Sequence, residues 1–113
     1  MSHYLISVFH PNDYDPSIAE DEHMHREIDQ LNEAMVAAGI RVFVNGLHMP
    51  EHSRTVYAEA NGSTTVKEGP HLQTEEHVCG FWVLDVEDME TALEWGRKAA
   101  VACRAPIEVR PFH

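Results

Sequence analysis

The residues with the most chemistry to offer lie in one polar stretch, Glu68-Gly69-Pro70-His71-Leu72-Gln73-Thr74-Glu75-Glu76, which runs straight into the apolar segment Val78 to Val86. His71 is expected to act as a general acid or base, with Glu68, Glu75 or Asp85 orienting it, because proton transfer needs donor and acceptor within hydrogen-bond reach. Ligand contacts are expected from Gly69, Pro70, Thr74 and Glu76 on that loop, from His10 and His48 on other loops, and from Trp82 on the strand. The same residues also have a purely structural reading. Gly69-Pro70 makes a turn, Thr74 satisfies loose backbone groups and the acids face water. Asp85 closes an apolar strand, so it either points into a cavity beside a histidine or accepts backbone N–H groups at the next helix start.

His10, His48, His52, His71 and His77 all fall in or beside expected loops, and imidazole-tolerant ions such as zinc or nickel are the ones they would suit. No pair has a recognised ligand spacing. Pro50 separates His48 from His52, and His23 and His25, two apart on a helix, face different directions. No metal and no cofactor is therefore expected. Cys79 and Cys103 belong to no C-x-x-C pair and read as buried thiols. Tyr4, Phe43, Phe81 and Trp82 either line an apolar ligand pocket or belong to core and interface. Without a Gly-rich phosphate loop or a Ser or Cys nucleophile beside a base, nucleotide use has no support.

The elements that must position these residues follow from periodicity. Tyr4 to Phe9, Val42 to Leu47, Arg54 to Glu59, Ser63 to Val66, Val78 to Val86 and Ile107 to Arg110 read as strands. Asn61-Gly62 is a hairpin signal, since both central positions of a tight primed turn favour positive φ. Ser17-x-x-Glu20 has capping-box spacing and predicts a helix start there. Met24, Ile28, Leu31 and Met35 form its apolar stripe, and Gly39 closes it. Asp88 is expected to cap a second helix, with Met89, Ala92, Leu93, Gly96, Ala99 and Ala100 as its packing face.

The resulting order is βαββ(β)βαβ, a ferredoxin-like α+β antiparallel sheet with two helices on one face, in one domain spanning residues 1–113. Tyr4 to Phe9 and Phe81 to Val86 are apolar on both faces, yet two helices cover only one. An uncovered apolar face of that size predicts a homodimer, sheet against sheet. The net charge of −11 argues against nucleic acid, which needs clustered Lys and Arg. No apolar run approaches the roughly 20 residues of a membrane span, and the amino terminus lacks signal-peptide features, so a cytoplasmic location is expected.

Several short motifs together resemble the DGPF-type domain of the YCII-related family. The run from Glu68 to Glu76, then Gly80-Phe81-Trp82 and Leu84-Asp85-Val86, is similar to that family's D-G-P-F-A-E-T-K-E motif and its following glycine–aromatic strand. Gly46-Leu47-His48 with Pro50 looks like its G-L-x-P segment, and Glu108-Val109-Arg110-Pro111 like its E-V-R-P ending. The resemblance implies a dimeric α+β barrel, little settled biochemistry, and accessory roles beside extracytoplasmic-function sigma factors. Glu68, His71, Gln73, Glu75 and Cys79 replace the motif's Asp, Phe, Glu, Lys and Gly. The YCII branch resembles a His-Asp acid/base pair whose Asp precedes the helix-closing glycine. Ala37-Ala38-Gly39 stands there instead, so that pair is not carried over. Three functions follow as expectations. They are a small-molecule binder or sensor with its cleft beside residues 68–76, an enzyme using His/carboxylate proton transfer or hydrolysis, and an interaction module for a sigma factor.

Overall fold

A computed structural model describes all of residues 1–113. In chain order the elements are β1 (Ser2–Pro11), α1 (Pro16–Ala19), α2 (Glu22–Ala37), β2 (Arg41–Gly46), a 3-10 turn (Pro50–His52), β3 (Arg54–Ala58), β4 (Thr64–Glu68), β5 (Glu76–Val86), α3 (Met89–Cys103) and β6 (Ile107–Pro111). Four strands form an antiparallel sheet in the order β2-β5-β1-β6. The two central strands come from distant parts of the chain and the edges are β2 and β6, which is the ferredoxin-like α+β arrangement. β3 and β4 stand apart as a two-stranded ribbon, with Val56 opposite Val66.

The core lies between the sheet and the two long helices. Ile6, Leu84 and Val86 project from the central strands and, with Met35 of α2, are essentially sealed from solvent. Full burial of such side chains is worth about 1.5–3 kcal/mol each. Met24, Leu31 and Met35 bury the stripe of α2, and Ile28 packs half-buried between them. The helix ends on a Schellman motif: Ile40 N–H donates to the Met35 carbonyl, Gly39 N–H donates to the Val36 carbonyl, and Gly39 takes a φ of 71°. The face of α3 is built of small residues, Ala92, Gly96, Ala99 and Ala102. They allow close approach to β6, where a Cβ on Gly96 would come within 2.9 Å of Val109 Cγ2. Leu93 and Ala100 are only half-buried.

Three expectations are corrected. The Ser17/Glu20 capping box does not form. Asp15 caps the four-residue α1, accepting from the Ser17 N–H, and Asp21 caps α2 by accepting from the Met24 N–H at 2.8 Å. Glu20 sits in extended backbone between the two helices, with its carboxylate engaged elsewhere. The Asn61-Gly62 turn is wider than a two-residue primed turn. Only Gly62 has positive φ, and Asn61 instead accepts from the Ser63 N–H and hydroxyl through its side chain. Finally, Asp88 caps α3, accepting from the Thr91 N–H and hydroxyl, which leaves Asp85 without that role.

The sheet's other face has no helix over it. Leu5, Phe9, Phe81 and Val83 are half-buried there, and Phe43 is 51 % exposed, its ring 5.9 Å from that of Phe81. Asp85 lies on this face opposite His3, and its Oδ1 is buried without a hydrogen-bond partner.

Candidate functional site

Two hollows lie at the end of the sheet where β1 leaves and β5 enters. The first is an open cleft of about 610 Å³ whose lining includes Asn12, Pro50, Glu68, Gly69, Pro70, Thr74 and His77. The second is a smaller, more apolar crevice of about 230 Å³ between α2 and the sheet. Val8, Met24, Ile28, Val44 and Trp82 line it, with His10, Glu20, Asn32, Cys79 and Cys103 as its polar groups. His10 and His77 are cross-strand partners in the β1–β5 ladder, so one member of that pair lines each hollow.

The residues expected from sequence divide among several places. Glu68, Gly69, Pro70 and Thr74 line the open cleft. Glu68 also faces Arg54 at 3.7 Å, the Thr74 hydroxyl donates to the Glu76 carbonyl, and the Glu75 carbonyl accepts from the Asn12 N–H at 2.9 Å. Glu75 and Glu76 are otherwise exposed. His71 is exposed and bonds the Tyr57 hydroxyl through Nδ1 at 2.8 Å, so its polar partner is a phenol on β3 instead of a carboxylate. His48 sits against the ring of His52, 5.2 Å away, outside both hollows. His10 and Trp82 line the crevice, while Asp85 lies on the uncovered sheet face. The expected constellation is thus dispersed, and the loop serves mainly as a cleft wall.

The groups that do converge join His10, which the sequence singled out, to Tyr14 and Glu20, which it did not. His10 stacks on Tyr14, ring centroids 3.5 Å apart and planes within 12°. The Tyr14 hydroxyl donates to Glu20 Oε2 at 2.8 Å, and Glu20 Oε1 meets His25 Nε2 at 2.8 Å. Burial alone would raise the Glu20 carboxyl, but hydrogen bonds from His25 and Tyr14 outweigh it and hold the group below the usual carboxylate range. Tyr14 is pushed upward by burial and by the carboxylate that accepts its proton, so it remains a phenol. Burial lowers His10, with His77 adding to the effect and Glu20 opposing it, so near neutrality the imidazole is uncharged. On the crevice wall Trp82 Nε1–H donates to Asn32 Oδ1 at 2.8 Å, and the exposed Arg41 reaches the same oxygen at 3.3 Å.

Cys79 and Cys103 are both free thiols pushed up to about 11 by burial, so neither is a poised nucleophile. Cys79 is the extra residue of a β-bulge in β5, where the register against Val8 and Phe9 shifts. Its Sγ–H donates to the Val8 carbonyl at 3.4 Å. Of the site residues that sequence reasoning missed, Asn32 had a signal: a polar side chain one turn beyond Ile28 on the apolar stripe. Tyr14 and Glu20 had none, since one falls in a polar loop and the other in a plausible capping box.

Comparison with known proteins agrees with the architecture. The family model for the YCII-related domain matches residues 1–112. An uncharacterized protein of Rhizobium meliloti (strain 1021) is 30% identical over 95 residues, covering 82% of this chain and 76% of the relative. By that match, across nearly its whole length, the chain belongs to the family of YCII-related domain proteins.

Proposed function

We propose that this chain is a cytoplasmic homodimer that binds or senses a small molecule in the crevice beneath α2, with the cleft along residues 68–76 as its outer lip. The observation that carries the reading is the placement of His10. Its position comes from stacking on Tyr14, its ring is uncharged near pH 7, and it sits at an apolar hollow that Asn32 and Trp82 also line. A mostly apolar concavity with a few convergent polar groups and a perturbed titratable residue is the usual form of a ligand site. The dimer is supported by the bare apolar sheet face bearing Leu5, Phe43, Phe81 and Val83. A sigma-factor partner rests on the family resemblance alone.

An enzymatic reading has one specific observation in its favour. A neutral imidazole beside a hydrogen-bonded carboxylate–phenol pair is suited to taking a proton from a bound substrate. His10 then holds the role expected of His71, since His71 is exposed and engaged by Tyr57.

The test is a thermal-shift and NMR screen of small molecules against the wild type, Ile28→Trp and His71→Ala. Ile28→Trp fills the crevice and should abolish binding, whereas His71→Ala should leave it intact. Hits that survive Ile28→Trp and shift only the resonances of residues 68–77 would refute the crevice assignment. Turnover of a hit that His10→Ala removes would establish the enzymatic form.

A further inference from the structure

The β3–β4 ribbon is an arm. Its two five-residue strands pack on each other and on no other strand or helix beyond a marginal touch. It makes the molecule long: the chain extends 50 × 38 × 18 Å, with a radius of gyration of 16.4 Å, where about 13 Å is usual for this length. A lone two-stranded hairpin is marginal in water. Yet this arm presents Val56 and Val66 as a directly opposed pair, each 61 % exposed. The pair steadies the ribbon across its strands and still leaves apolar area open to a covering surface.

We propose that the arm is a clasp for a second copy of this chain, its Val56–Val66 face seated on the partner subunit. The inference rests on the sheet-to-sheet dimer proposed above and adds a separate contact to it. Three observations identify the occupant as another copy. The arm grows from β2, the edge strand that carries the exposed Phe43 on the uncovered face, with Leu47 exposed just beyond it. The clasp is thus continuous with the interface it would extend.

The second observation is charge. Arg54 and Lys67 balance Glu59 and Glu68, so the arm is neutral in a chain of net charge −11. A neutral arm can lie on an acidic copy of the same protein without the repulsion that two acidic surfaces would meet.

The third is area. Four strands spaced about 4.8 Å apart and averaging eight residues give the sheet face a footprint of about 500 Å² per copy, or about 1,000 Å² for a pair, short of the roughly 1,600 Å² of a standard stable interface. Each arm face adds about 170 Å², and two arms with the surfaces that receive them bring the total to the standard range.

Hydrogen exchange by mass spectrometry, paired with light scattering, tests this on the purified chain. The variants are Val56→Lys/Val66→Glu, which keeps the cross-strand pair compatible, and Phe81→Glu, which places a charge in the sheet face. We expect slow exchange of the β3–β4 amides in the wild-type dimer and near-free rates in the Phe81→Glu monomer. The Val56→Lys/Val66→Glu variant should expose the arm amides and weaken the dimer by about tenfold or more, which corresponds to 1.4 kcal/mol. A dimer with unchanged affinity in that variant and freely exchanging arm amides in the wild type overturns the clasp and leaves the sheet-face dimer standing. A wild-type monomer at micromolar concentration overturns both.

Discussion

Replacing Asn32 with Leu should loosen the crevice by leaving one buried donor unpaired. Trp82 is only 4 % exposed, and its indole N–H is satisfied by Asn32 Oδ1 at 2.8 Å. Leucine keeps the approximate volume but accepts nothing. An unpaired buried donor costs about 1–3 kcal/mol, and the better helix propensity of Leu returns about 0.4 kcal/mol in the middle of α2. The lost contact from Arg41, an exposed group at 3.3 Å, adds little. A net loss of about 1.5 kcal/mol follows. Unfolding entropy of about 2.1 cal/mol/K per residue converts this, over 113 residues, to a fall of about 6 °C in Tm. The assay is calorimetric unfolding of wild type, Asn32→Leu, Trp82→Phe and the double variant at one protein concentration, so that any dimer linkage is held constant. Because Phe has no N–H to strand, Asn32→Leu should cost about 1 kcal/mol less in the Trp82→Phe background. A coupling below about 0.3 kcal/mol would mean that the indole finds another acceptor and that Asn32 is not what fixes Trp82 in the crevice wall.

Gly96→Ala places a Cβ within 2.9 Å of Val109 Cγ2, a stiff branched side chain on β6. Overpacking costs about 1–3 kcal/mol against a helix-propensity gain of about 1 kcal/mol, so chemical denaturation should show a net loss of about 1 kcal/mol, recovered in a Gly96→Ala/Val109→Ala double variant. Stability should also fall as the pH drops below about 6.5, because the folded state keeps His10 neutral while the unfolded chain protonates it. A depressed imidazole contributes stability that is present above its unfolded value and lost on the way down to its folded one. His10→Phe should flatten that part of a denaturation-midpoint profile, and an unchanged slope would assign the titration to other histidines.

The architecture was legible because periodicity is a physical requirement of burial. The α2 stripe, the helix stop at Gly39, the Asp88 cap and the two-faced central strands all follow from where apolar side chains must go. Local signals failed where two chemistries fit one pattern. Ser17 and Glu20 have capping-box spacing, but Asp15 and Asp21 outcompete them as caps, and Glu20 gains more from Tyr14 and His25. Of the site, the sequence made the loop legible as a cleft wall and picked out His10 and Trp82. It could not show that His10 meets Tyr14 and Glu20, because that meeting depends on how the chain turns after Pro11. His71 drew attention by its motif position, yet pairing with the arm residue Tyr57 is a tertiary fact.

The bulge at Cys79 has a consequence for how this scaffold changes over evolutionary time. Side chains on a strand alternate, so one surplus residue reverses the phase of everything upstream of it. Without it, His77 would share a side with Phe81 and Val83 and put an imidazole into the apolar layer of the bare sheet face. With it, His77 turns toward His10. Deleting the single codon of Cys79 would therefore act as a toggle, handing the His77 imidazole from one surface of the sheet to the other while leaving the remaining strands in register.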